Sequence, residues 1–190
     1  MEMKAFDFDN TLYRGESSLD FSLYMIRTHK KILLYLPVII ANTISYKLCL
    51  VDREKLGEDI SKYMRLIIRD KREIRQLVKK FWQTHADRLD ADMLRRVRPD
   101  DLIITAGPDF LLDGIRDRLG TRNIISSIVD LDRKTILHFN FKDNKVTRFR
   151  ELYGDTRIDA FYTDSYNDRA LMEISDKVFL VKKGKIKRIQ

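Results

Sequence analysis

A parallel α/β sheet carrying an all-helical insert after its first strand is the architecture this sequence predicts, on three observations. Outside residues 16–97, short apolar runs alternate with helix-patterned segments, the order that a layered sheet with crossover helices produces. Inside that range, apolar residues recur at a helix period with Lys and Arg between them. Charge divides the chain in nearly the same place: residues 21–100 hold 18 basic and 10 acidic side chains, and the remaining 110 residues hold 19 of each. The net +8 therefore sits in residues 21–100, which points to a near-neutral scaffold (1–15 with 98–190) and a basic helical insert (16–97).

Each element has its own signal. Residues 4–9 (KAFDFD) read as a short strand that ends in polar residues. Residues 19–26 and 32–51 read as helices, with Pro37 marking a kink or a start. From 60 to 82 the spacing of Ile60, Met64, Ile67, Ile74, Val78, Phe81 and Trp82 predicts one or two amphipathic helices. Residues 101–105 (DLIIT) form a second strand before Ala106, Gly107 and Pro108. Pro108 opens a helix over 109–119 whose Leu111, Leu112, Ile115 and Leu119 should pack on the sheet, and Gly120 ends it. Residues 124–129 and 135–141 flank a charged turn and read as paired strands. A helix over 145–153 stops at Gly154, followed by a strand at 158–163, a helix at 167–174, a strand at 177–181 and a last short strand after Gly184. The chain contains no internal repeat.

Composition excludes several classes. With 44% hydrophobic residues, 7 Gly and 3 Pro, a chain of 190 residues buries a core that needs neither disulfide nor metal, and extended disorder is excluded. The single Cys49 rules out an intrachain disulfide and fits a reducing compartment, and His29, His85 and His138 make no zinc-type pattern. The longest uncharged stretch, 32–46, falls short of the roughly 18 residues of a spanning helix. Structured sequence begins by Phe6, so no signal peptide is expected and the expected location is cytoplasmic.

Chemistry gathers at the strand ends. Asp7-Phe8-Asp9-Asn10-Thr11 puts two carboxylates two residues apart where the first strand ends, so both can face one site as the chain leaves the sheet. One carboxylate can attack and the other can donate a proton. Asp164 and Asp168, at another strand end, could complete a cluster of the kind that holds magnesium together with phosphate oxygens and water. A strand-end turn at 7–9 and a helix N-cap at 164–168 are the plainer alternatives, and the residues alone leave both open.

Taken together, FDFDNTL, IITAGP, a Lys-led helix and YTDSYND stand in the order of the four motifs of the haloacid dehalogenase-like hydrolases, and the whole scaffold resembles that superfamily. The resemblance implies a Rossmann-like parallel sheet flanked by helices, with the insert as a helical cap, and a magnesium-dependent phosphatase working through an aspartyl-phosphate. Asp7 would be the nucleophile, and Asp9 would protonate the leaving oxygen and then activate water. Asp7, the Asp9 backbone carbonyl and Asp164 would hold magnesium, with Asp168 acting through water or behind the direct ligands. Thr105 and the backbone amides near Ala106 and Gly107 would bind phosphate, and Lys145 would neutralise the transferring group, with Lys142 as its rival. Asn10 stands where the superfamily often has Gly, and Asn still tolerates the turn. Dehalogenating members lack the second Asp, so Asp9 argues for phosphoryl transfer over halide displacement.

Substrate is carried by the insert. A helical insert between the first two motifs resembles the cap of the phosphoserine phosphatase-like subgroup, in which an acidic residue meets the substrate amine. Glu16 matches that position, with Ser17 beside it, although a solvated loop acid would look the same. Residues 29–49, with DNKV and VKKGKI, also resemble bacterial phosphatidylglycerophosphate phosphatases of type C. That resemblance implies a lipid headgroup as substrate and peripheral contact of 30–50 with the inner membrane surface, while cap core is the other reading of this apolar stretch. The expected partner is thus a phosphorylated small molecule or a lipid headgroup. A nucleic-acid-binding or non-catalytic interaction protein is the competing class, motivated by Arg95, Arg96, Arg98 and the basic run 182–188, but no aromatic reading surface accompanies them and no nucleic acid is expected.

Overall fold

The computed structural model describes residues 2–28, 65 and 70–190. Its strands are β1 (Lys4–Phe6), β2 (Leu102–Pro108), β3 (Asn123–Asp130), β4 (Thr135–His138), β5 (Ala160–Thr163), β6 (Val178–Lys182) and β7 (Lys185–Arg188). They join in one sheet of order β4-β3-β2-β1-β5-β6-β7. The β1–β2, β2–β3, β1–β5 and β5–β6 pairs are parallel, and only the outer β3–β4 and β6–β7 pairs are antiparallel. β1 is central, and the chain builds outward from it first through β2 and β3 and then, on the other side, through β5 and β6. The carboxyl end of β1 is therefore the switch point at which parallel α/β sheets form their crevice. The expected Rossmann-like architecture is the one observed.

Side-chain alternation divides the core into two layers. Phe6, Ile103, Tyr162 and Val181 face one side, with Phe6, Tyr162 and Phe179 stacked at ring-centroid distances of 4.7 Å. Ala5, Leu102, Ile104 and Phe161 face the other. The described helices are α1 (Ser17–Thr28), α2 (Lys71–His85), α3 (Ala91–Leu94), α4 (Asp109–Asp113), α5 (Asp143–Tyr153) and α6 (Arg169–Glu173). Phe149 of α5 and Leu171 of α6 cover the second face. Each such fully buried side chain contributes about 1.5–3 kcal/mol by leaving water.

On the first face, α2 begins at Asp70, whose carboxylate accepts the Arg72 N–H, and buries Ile74, Val78, Phe81 and Trp82 at the spacing the sequence displays. Trp82 Nε1 donates to Leu111 O at 2.7 Å, which joins α2 to α4. Gly114 permits this approach, because a Cβ there would lie 2.6 Å from Val78 Cγ1 and 2.7 Å from Trp82 Cδ1. The helix expected over 109–119 stops at Asp113, because Ile115 leaves the helical conformation at φ −131°, and it resumes only as a 3₁₀ turn, Arg116–Arg118. The helix expected over 167–174 likewise divides into a 3₁₀ turn, Tyr166–Asp168, and α6. The strand expected over 135–141 ends at His138.

Residues 12–14 and 88–90 pair side by side. Arg14 N donates to Arg88 O and Asp90 N to Leu12 O, both at 2.8 Å. Tyr13 stacks on Phe8, and its hydroxyl donates to Asp20, which also receives Arg88 Nη1 at 2.6 Å. Residues 70–97, part of the expected insert, share one apolar cluster with the β1, β2 and β5 side chains. The expected helix over 32–51, its proposed membrane contact and the first half of the 60–82 pattern lie outside the described residues. No described helix is long and apolar enough to cross a membrane.

Candidate active site

The end of β1 is shaped by a tight turn. Phe8 O accepts from Thr11 N, Leu12 N and Tyr13 N at 3.2, 2.8 and 2.9 Å, and Phe8 itself is fully buried. Asn10 takes φ +57°, the left-handed conformation that Asn adopts more readily than most side chains. This turn sends Asp7 and Asp9 past the sheet edge on either side of Phe8. Asp9 then accepts the Ser17 N–H at 2.7 Å, so the start of α1 is fastened to the β1 loop.

Lys145, in the first turns of α5, enters from the second face. Its Nζ lies 2.9 Å from Asp7 Oδ1 and 2.7 Å from Asp168 Oδ1, and all three residues are buried. Thr163, the last residue of β5, donates its hydroxyl to Asp168 Oδ2 at 2.8 Å. Both Asp168 oxygens are thereby engaged by protein groups. Lys142, the rival lysine, precedes α5 at φ +50° and has its Nζ 5.6 Å from the centre of the Phe141 ring. Only Lys145 reaches Asp7.

The electrostatics follow from burial. Desolvation pushes the Asp7 carboxyl up to about 8 against the attraction of Lys145, with Asp168 and Asp9 adding like charge. Burial likewise raises Asp9 to about 6, opposed by the two hydrogen bonds from Ser17. Asp164, half-buried, is also raised by desolvation, with Lys182 pulling the other way. Burial lowers the Lys145 pKa, but the charges of Asp7 and Asp168 and their hydrogen bonds outweigh it and raise the pKa above its usual value.

Burial raises all three carboxyl groups, and like charge adds to the shift at each, from Asp168 and Asp9 at Asp7, from Glu16 at Asp9 and from Glu16 and Asp168 at Asp164, so an added cation would favour their ionised forms. A hard divalent cation with oxygen ligands fits that donor set. Among the described residues no group of three acidic, His or Cys side chains converges as a metal cluster, because Asp7 and Asp168 turn to Lys145 and Asp9 to Ser17. Two carboxylates, a backbone carbonyl and water would meet the requirement without such a cluster.

The opposite wall is the end of β2. Gly107 N donates to Thr105 Oγ1 at 3.0 Å, and a Cβ on Gly107 would sit 3.3 Å from that oxygen, 3.7 Å from Ser18 Oγ and 4.0 Å from Ser17 Oγ. Thr105–Gly107 and the start of α1 thus face each other across a small polar space. Glu16 is exposed, and its Oε1 accepts from Asn10 Nδ2 at 2.8 Å. Sequence reasoning missed Thr163, Ser127 and Asn140. Ser127 Oγ donates to Ala106 O and Asn140 Nδ2 to Thr105 O, each at 2.7 Å. An isolated polar residue at a strand end carries no signal that separates it from ordinary turn chemistry.

A family model described as haloacid dehalogenase-like hydrolase matches residues 5–173. Solved structures share the fold. A protein of unknown function from Bordetella pertussis Tohama I gives a TM-score of 0.76 at 18% identity, over 90% of this chain and 86% of that one. A HAD family hydrolase from Salmonella enterica subsp. enterica serovar Typhi gives 0.58 at 16% identity, over 92% of this chain and 60% of that one. A phosphoserine phosphohydrolase-like protein from Francisella tularensis subsp. tularensis SCHU S4 gives 0.55 at 20% identity, over 94% and 86%. No curated protein matches the chain.

Proposed function

The chain belongs to the haloacid dehalogenase-like hydrolase family, and on that premise we propose that it is a magnesium-dependent phosphatase that hydrolyses a phosphate monoester through an aspartyl-phosphate on Asp7. The observation that carries this reading is the contact of Lys145 with both Asp7 and Asp168, an ammonium held at the carboxylate that would attack.

In this reading an Asp7 oxygen forms a bond to phosphorus as the bond from phosphorus to the ester oxygen breaks. Asp9, with its carboxyl raised to about 6, gives its proton to the departing oxygen. Asp9 then takes a proton from water, whose oxygen attacks phosphorus and frees Asp7 and inorganic phosphate. Lys145 balances negative charge on Asp7 and on the transferring group. Thr105 accepts the Gly107 N–H, which leaves its own hydroxyl hydrogen for a phosphate oxygen. Magnesium, held by the Asp7 and Asp164 carboxylates and the Asp9 carbonyl with Asp168 behind them, would supply positive charge at the phosphoryl group.

The substrate is either a phosphorylated small metabolite or a phospholipid headgroup phosphate. Glu16 and Ser17, at the mouth of the site, are its proposed recognition residues, and peripheral membrane contact through 30–50 is the lipid variant of the same proposal. The test is magnesium-dependent phosphate release from phosphoserine, a generic aryl phosphate and phosphatidylglycerophosphate in mixed micelles, with Asp7→Asn as control. Release from any of them that is lost in Asp7→Asn is the expected result. Absence of magnesium-dependent release from all three overturns the reading.

A further inference from the structure

We propose that Asn140 and Ser127 are positioning residues that aim the phosphate-binding amides of residues 105–107, an inference that rests on the phosphatase reading above. The starting point is a register slip. Ile104 pairs with Ile125, but the next pair is Pro108 with Ser127, so four residues of β2 advance against two of β3. Thr105, Ala106 and Gly107 are thereby lifted out of the ladder, and their buried polar groups need partners from elsewhere.

Two side chains from outside the bulge supply those partners. Asn140 Nδ2 donates to Thr105 O at 2.7 Å and to Ile125 O at 3.2 Å, which bridges the two strands where they part. Ser127 Oγ donates to Ala106 O at 2.7 Å and accepts the Asn140 N–H at 3.0 Å. The Asn140 Oδ1 lies 3.5 Å from His138 Nε2 at the end of β4. Asn140 is 0% exposed and Ser127 3% exposed, so water does not substitute for either.

The consequence comes from peptide planarity. In a trans peptide the C=O and the following N–H point in opposite directions, and the described residues have no cis bonds. Tying the Thr105 carbonyl to Asn140 turns the Ala106 N–H away from Asn140. Tying the Ala106 carbonyl to Ser127 does the same for the Gly107 N–H, which meets Thr105 Oγ1. Asn140 and Ser127 touch no reacting atom. They hold two successive peptide planes so that the Ala106 N–H points away from Asn140 and the Gly107 N–H fixes Thr105 Oγ1, whose own hydroxyl hydrogen is left for an anion.

A merely structural plug would fill the bulge and do nothing more, and the molecule contains a matched control. Thr121 Oγ1 is buried and donates to Pro99 O at 2.9 Å and Asp101 O at 2.7 Å, at the other end of β2 and away from the site. The experiment compares Ser127→Ala, Asn140→Asp and Thr121→Ala in the full chain with magnesium. It reads kcat and KM on an aryl phosphate, inhibition by inorganic phosphate, and Tm. Ser127→Ala should lower kcat and weaken phosphate inhibition, each about tenfold, the loss of one well-aimed hydrogen bond. Asn140→Asp should do the same near pH 7 and recover partly toward pH 5, because only the protonated acid can donate to the Thr105 carbonyl. Thr121→Ala should lose a similar amount of Tm while keeping both kinetic readouts within about twofold of wild type.

Site variants that lose Tm but match Thr121→Ala in kcat and phosphate inhibition overturn the inference, and Ser127→Ala alone decides it where Asn140→Asp does not fold. Wild-type protein that neither releases nor binds phosphate overturns the phosphatase reading and this inference with it, a result distinct from active wild type with unaffected variants.

Discussion

Lys145 Nζ stands 2.9 Å from Asp7 and 2.7 Å from Asp168, so one buried ammonium couples the first strand's carboxylate to the last turn before α6. The pair is not a surface ornament, because removal of the cation leaves two buried carboxylates without a counter-charge. Lys145→Met should cost about 3 kcal/mol of stability at pH 9, in the range for breaking a buried pair from one side. The loss should shrink toward pH 6, below the Asp7 value of about 8, where protonation of Asp7 removes the uncompensated charge. Urea melts at the two pH values measure this, and an equal loss at both would show that packing of the lysine stem is the cause. Catalysis should fall by at least about a hundredfold as well, since the group that offsets charge at the attacking oxygen is gone.

Asp7 itself sets a pH dependence of stability. Its folded pKa is raised to about 8 from 3.8, so between those values the unfolded chain has released a proton that the folded protein retains. Stability from this group is therefore fully present below about pH 4 and is lost as pH rises through about 8. Asp7→Asn, measured with EDTA, should melt roughly 5 °C above wild type at pH 8 and converge on it toward pH 4, while losing activity. Magnesium should raise the wild-type Tm and leave Asp7→Asn nearly unmoved, because the added cation favours the ionised form of Asp7. A pH-independent Tm difference would refute the assignment.

Gly114 offers a test of packing between α2 and the sheet. An added methyl there would come within 2.6–2.7 Å of Val78 and Trp82, closer than real Cβ contacts allow. Gly114→Ala should therefore destabilise by about 1–3 kcal/mol through overpacking, although alanine ordinarily favours helix over glycine. Trp82 is the sole tryptophan, so its fluorescence reports whether its bond to Leu111 O survives. A variant more stable than wild type would show that α2 can shift away at little cost.

The parts of the site that were legible in the sequence share one property: their meaning is local. Asp7 and Asp9 straddle Phe8 at a strand end, Asn10 takes the left-handed turn its type permits, and Lys145 opens a helix whose end Gly154 marks with φ +60°. The α/β alternation and the pairing of β3 with β4 followed from short apolar runs and a charged turn. What escaped depends on contacts distant in sequence. Asn140 acquires its role only because β2 slips against β3, and no period or motif encodes a register slip. Gly114 makes room for a tryptophan 32 positions earlier, and the Arg88–Asp20–Tyr13 contact exists only because residues 12–14 and 88–90 lie side by side.

Asp9 makes the sharpest kinetic prediction, because its role depends on its proton. Burial raises its carboxyl to about 6, so the protonated fraction falls as pH rises past that value. In saturating magnesium, which would hold the Asp7 nucleophile ionised, an alkyl phosphate, whose leaving oxygen must be protonated, should show kcat/KM declining about tenfold per pH unit above 6. A nitrophenyl phosphate departs without that proton, and its kcat/KM should stay flat over the same range. Asp9→Asn should accordingly cost the alkyl ester about 10²–10⁴-fold and the nitrophenyl ester far less at the bond-breaking step, read as the burst before turnover. Should both esters lose activity equally in Asp9→Asn and share one pH profile, Asp9 serves the site through its backbone turn and the Ser17 contact, and the proton donor is another group.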